Sequence, residues 1–167
     1  MLFNLLFISL YQNALLLLIT LPMIVAWQAR NKPITVFDAV AAILYLGFVI
    51  IETVADQQQW NFQNEKHRQI KAGEKLAGDY QQGFISSGLW SKVRHPNYAS
   101  EQGIWICFYL FSVIATGRLI NWSAAGALLL VVLFQGSSDF SESISLKKYV
   151  AYSDFKKKVP RFIPRPW

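Results

Sequence analysis

The chain has 167 residues, enough for one domain, and 53% of them are hydrophobic. That apolar content is high for a soluble domain of this size, and the single cysteine, Cys107, excludes an internal disulfide framework. The formal net charge of +6 would suit nucleic acid in a soluble protein. Here the basic residues flank apolar runs, so anionic lipid headgroups or a phosphorylated cofactor are the expected partners and nucleic acid is not.

Residues 1–29 carry no charge. A helix needs about 20 apolar residues to cross a bilayer core, which predicts a first span over 5–27. The stretch has neither a basic leading region nor a small-x-small cleavage site, so a signal peptide is the weaker reading. A second span is expected over 36–55, with Asp38 at its start and Glu52 inside its far end. A third is expected over 98–116, with Glu101 one turn inside, and a fourth over 121–136. The fold class is therefore all-α, a polytopic membrane bundle of about four transmembrane helices with interfacial helices, forming a single membrane domain over 1–167.

Basic residues set the orientation. Arg30, Lys32 and Arg118 lie in the two short connections. The loop 56–97 holds Lys66, Arg68, Lys71, Lys75, Lys92 and Arg94, and the tail 137–167 holds Lys147, Lys148, Lys156, Lys157, Lys158, Arg161 and Arg165. Three against thirteen places the loop, the tail and the N-terminus in the cytoplasm. Residues 57–71 are expected to continue span two as a surface helix. The glycines and the Ser86-Ser87 pair within 73–88 indicate turns. The tail reads as an amphipathic interfacial segment, with Trp167 an anchor at the headgroups. Asn121-Trp122-Ser123 is a formal glycosylation sequon at a membrane edge, read here as a chance occurrence.

The densest polar constellation runs from Lys92 through Arg94, His95, Pro96, Asn97 and Tyr98 to Glu101. Pro96 keeps His95 extended and fits a first helical turn, so span three should start near Pro96 or Asn97. Asn97 and Glu101 share a helix face, as do Glu52 and Asp56, and Asp139 and Glu142 stand at the end of span four. Acids inside spans are costly and face a partner or a cavity. Salt bridging is the plain reading of this cluster, and a polar cofactor pocket between helix ends is the functional one. His67 and His95 are not a ligand-spaced pair, so no metal is expected. Glycine-rich nucleotide loops are absent from the sequence.

Gly88-Leu89-Trp90, Arg94-His95-Pro96-Asn97-Tyr98, Glu101, Tyr149, Tyr152 and the closing Phe162-Ile163-Pro164 resemble the C-terminal domain of the steroid 5α-reductase-like membrane family, and its bacterial branch most of all. Glu52, Ala55-Asp56 and Gln58 also match that branch. Isoprenylcysteine methyltransferases and sterol reductases share the Arg-His-Pro-x-Tyr core. The resemblance implies a helical fold of a bacterial inner membrane with an NADPH site open to the cytosol. It implies that Asp56, Asn97 and Glu101 hold the nicotinamide-ribose part, that Arg94, His95 and Tyr98 belong to the same site, and that Tyr149 and Tyr152 close over the cofactor, with Lys148 replacing an arginine.

Two features depart from that family. Ser100 stands where it has glycine, and the further N-terminal spans that build the substrate cavity are missing from this chain, which is expected to be a fragment, a truncated product or a self-pairing homo-oligomer. The implied activity is reduction of an activated double bond in a lipid or steroid-like substrate, a hydrophobic small molecule, with Glu52 and Tyr149 as candidate proton donors. An S-adenosylmethionine-dependent methyltransferase and a non-catalytic scaffold are the alternatives.

Overall fold

The computed structural model describes residues 9–165. The first residues of the expected span 5–27 and the anchor Trp167 lie outside that range. The described chain is helical: α1 Gln12–Gln28, α2 Val36–Ala72, α3 Asp79–Gln82, α4 Pro96–Thr116, α5 Ala124–Lys148 and α6 Tyr152–Lys158, with one 3-10 turn over Gly88–Ser91. Among the described residues, three stretches are long and apolar enough to cross a membrane, Ser9–Gln28, Val36–Ala72 and Ala124–Lys148. The remaining expected span corresponds to α4. At 21 residues it has the length, but polar Ser100, Glu101 and Gln102 dilute its first turns and it is not among the three.

Two compact units divide the chain, and α2, α4 and α5 contribute to both. The first unit comprises the described part of Met1–Phe48 together with Gln102–Gln135. Its outward surface is apolar: Leu17, Met23, Ile43, Leu46, Leu128 and Val132 are all exposed. In water such a surface would drive association, whereas lipid tails solvate it. Inside the unit, small residues let helices approach. A Cβ on Gly126 of α5 would collide with the backbone of Leu18 on α1, and one on Gly103 of α4 would meet the Phe48 ring of α2 at 2.6 Å.

A polar knot closes the connection between α4 and α5. Asn121 Nδ2 donates to Ser112 Oγ at 3.1 Å, while Asn121 Oδ1 accepts from the Ser123 backbone and hydroxyl. This capping explains why α5 starts at Ala124, three residues after the expected position. It also ties the sequon's asparagine amide to a buried serine.

The second unit comprises Val49–Glu101 with the described part of Gly136–Trp167. Helix α2 continues unbroken past its apolar part to Ala72, a total of 37 residues. The following loop is shaped by Gly78 and Gly83, both at positive φ, flanking α3. Asp79 pins the turn beyond it, accepting from the Ser86 backbone at 2.9 Å and the Ser86 hydroxyl at 2.7 Å. Gly88-Leu89-Trp90 then docks on α2: Leu89 N donates to Gln58 Oε1 at 3.0 Å and Trp90 Nε1 to the Ala55 carbonyl at 3.2 Å. Helix α4 starts at Pro96, as its fixed φ and missing N–H dictate. Ser100 is buried, and its hydroxyl folds back onto the Pro96 carbonyl at 2.9 Å. Phe84 packs against Tyr149, Tyr152 and Phe155, with ring centroids 5.1–5.7 Å apart.

Candidate functional site

The second unit is organised around one buried carboxylate. Glu142 of α5 is fully buried. Arg94 Nε donates to its Oε1 at 2.8 Å, His95 Nε2 lies 3.0 Å from the same oxygen, and Lys156 Nζ lies 2.8 Å from Oε2. Arg161 approaches Oε1 at 3.8 Å and pairs with Asp139. A buried charge is tolerated only when paired and hydrogen-bonded, and this one is supplied from three directions. The loop before α4 and the tail after α6 also join through their backbones. Arg94 N donates to the Pro160 carbonyl at 2.8 Å and His95 N to the Arg161 carbonyl at 3.1 Å. The Arg94 guanidinium further donates to the carbonyls of Lys156, at 3.0 Å, and Val159.

Beside this hub lies a cavity of about 320 Å³. Six of the ten residues singled out in the sequence line it: Arg94, His95, Asn97, Tyr98, Tyr149 and Tyr152. Lys148 is outside the lining, with its ammonium 5.3 Å from the Tyr149 ring centroid. Asp56 stands behind Asn97, accepting from Asn97 Nδ2 at 3.0 Å, and Asn97 Oδ1 accepts from the Tyr98 backbone at 2.9 Å. Glu52 and Glu101 lie within hydrogen-bonding reach of each other on α2 and α4, away from the lining. His95 stacks on Tyr98, with centroids 5.3 Å apart and planes 11° from parallel.

Burial acts on two of the wall residues. It is the largest influence on the His95 ring and holds its pKa below the ordinary histidine value, against the upward pull of Glu142. It pushes the Tyr152 phenol up to about 12, with the Glu142 charge adding to the effect. The wall thus offers a neutral imidazole and a protonated phenol at neutral pH.

Other wall residues were not singled out beforehand. Ser141 and Ser145 of α5 line the cavity, and their spacing of four residues, which leads on to Tyr149, is a helix-face signal that the sequence does carry. Gln59 lines it too, and its buried Oε1 has no hydrogen-bond partner among the described residues. Such an orphan acceptor is costly and suits a ligand N–H. Gly83, at φ +90°, lies so close to the Tyr149 ring that a Cβ would overlap it. Glu142 was read only as an acid at a helix end. Two of its partners, His95 and Arg94, are 47 and 48 residues away in sequence, and nothing local reveals that pairing.

Together these features define an all-helical protein with three membrane-capable helices and a polar-aromatic cavity beside a buried ion cluster. The chain belongs to the family described as "Protein of unknown function (DUF1295)", whose model matches residues 1–159. It is 36% identical over 171 residues to an uncharacterised protein of Schizosaccharomyces pombe, an alignment that covers 98% of this chain and 50% of the yeast protein. The chain thus spans about half the length of that curated relative. No solved structure matches it.

Proposed function

We propose that this chain carries the cofactor site of a membrane-embedded, NADPH-dependent reductase of the steroid 5α-reductase type, acting on an activated carbon–carbon double bond in a lipid or steroid-like substrate. The observation that carries this reading is the cavity wall. The Arg94–Tyr98 segment and the Tyr149–Tyr152 segment, far apart in sequence, close round one cavity.

The donor set of that cavity fits the nicotinamide-ribose part of the cofactor. The Arg94 charge is matched by Glu142, so the interior favours neutral polar groups over phosphate. Gln59 Oε1 stands ready to accept from a carboxamide N–H. Asn97, Ser141 and Ser145 present hydroxyl and amide groups suited to a ribose, and Tyr98 and Trp90 offer ring surface. When bound, the dinucleotide supplies a hydride for the β-carbon of the double bond, and a proton at the α-carbon completes the reduction. Tyr152, holding its proton up to about pH 12, orients groups by donating a hydrogen bond; Tyr149 and Glu52 are the proton-donor candidates.

Calorimetric titration of the detergent-purified chain with NADPH and with S-adenosylmethionine tests this. Saturable NADPH binding, weakened about tenfold or more in Asn97→Ala, is the expected result. Binding of the methyl donor instead would move the protein to the methyltransferase class. A folded sample that takes neither would leave a scaffold.

A further inference from the structure

The second unit has another, larger cavity of about 760 Å³, walled in part by Phe62, Ala77 and Tyr80. It shares Ile85 with the smaller one. Helix α2 walls both, giving Gln58, Asn61 and Phe62 to the larger and Gln59 and Gln63 to the smaller. One turn beyond them is Lys66. Its ammonium donates to the Gly83 carbonyl at 2.7 Å, lies 5.4 Å from the ring centroid of Tyr149 in the smaller cavity's wall, and lies 5.7 Å from that of Phe62 in the larger one's. Lys148 brings a second ammonium to the Tyr149 ring. Among the described residues, neither lysine pairs with a carboxylate.

An ammonium has three N–H donors, and Lys66 uses one. It is half-buried among rings and a backbone carbonyl, where an unmatched charge acts more strongly than in bulk water. The cations of the inner hub face Glu142, whereas Lys66 and Lys148 keep their charge for something else. A volume of 320 Å³ lies at the small end of ligand sites and suits half of a dinucleotide. In the larger cavity Tyr80 stacks on Phe62, with centroids 5.4 Å apart and planes 5° from parallel, which gives a firm face for a purine ring.

We propose that Lys66, assisted by Lys148, is the phosphate anchor between two half-sites, with the nicotinamide half of a dinucleotide in the smaller cavity and the adenosine half in the larger. This rests on the cofactor reading above and extends it to residues outside the motif that suggested it. The ligand class it requires is a phosphate-bridged one, and the adenosine half-site should accept ADP by itself.

The test is calorimetry of the full chain with NADPH and with ADP. Lys66→Met should raise Kd for both at least tenfold, and Lys66→Arg should restore most of the affinity. Ala77→Trp, at an exposed wall position, should fill the larger cavity and weaken both ligands as well. It keeps the test open should Lys66→Met fail to fold. If the wild type binds NADPH and these variants bind it equally well, the anchor is wrong while the cofactor reading stands. If the wild type binds neither NADPH nor ADP, both fall.

Discussion

Glu142 and His95 show how one side chain decides the state of another. A carboxylate acts as acceptor, so the His95 Nε2 facing Glu142 carries the hydrogen. Burial holds the His95 pKa down and Glu142 alone among its neighbours holds it up. The unfolded chain takes up a proton near the ordinary value of 6.5 and the folded chain only at lower pH. This contribution to stability is fully present above about pH 6.5 and is lost as pH falls toward the folded-state pKa. A histidine-labelled sample in a His67→Gln background, followed by nuclear magnetic resonance, should show a His95 midpoint below 6.5. Glu142→Gln should move that midpoint further down. It should also cost about 3–5 kcal/mol of stability, because Arg94 and Lys156 lose their buried counter-charge. A wild-type midpoint above 6.5, or an upward move in Glu142→Gln, would contradict this account of the hub.

At the scale of elements, the helices follow from apolar length and the join between two of them follows from one missing side chain. Gly126 lets α5 lie directly on the backbone of α1 at Leu18. In lipid there is little hydrophobic drive between helices, so close packing of this kind carries the association. Gly126→Leu should therefore separate α1 from α5 and lower the thermal unfolding midpoint in detergent, while Gly136→Leu, with open space around it, should be nearly neutral. Equal effects would show that the contact does not hold the pair. Apolar runs made α1 and the first parts of α2 and α5 legible in the sequence, and Pro96 marked the start of α4. The tail crossing over residues 94–95 was not legible, because its backbone bonds to Pro160 and Arg161 depend on long-range placement. For the same reason the candidate site was legible as a set of residues, while the carboxylate that organises it was not.

For the whole molecule the open quantity is its orientation across the bilayer, and charge gives a definite expectation. Sixteen lysines and arginines divide as three in the short connections and thirteen in the loop and tail. Such a bias orients helical membrane proteins with the rich side in the cytoplasm. The cavity residues Arg94, His95 and Tyr149 belong to the rich segments, so a soluble cofactor would reach them from the cytosol. The lone cysteine makes this measurable. Cys107 is buried, and Cys107→Ser supplies a background in which single cysteines can be placed at exposed positions. Ala77→Cys, beside the larger cavity, should resist an impermeant maleimide in intact cells and react once the membrane is opened. Leu119→Cys, in the short α4–α5 connection and 73% exposed, should react in intact cells. The reverse pattern would place the cavities on the outer face, where cytosolic NADPH cannot reach them, and would remove the reductase reading together with its phosphate anchor.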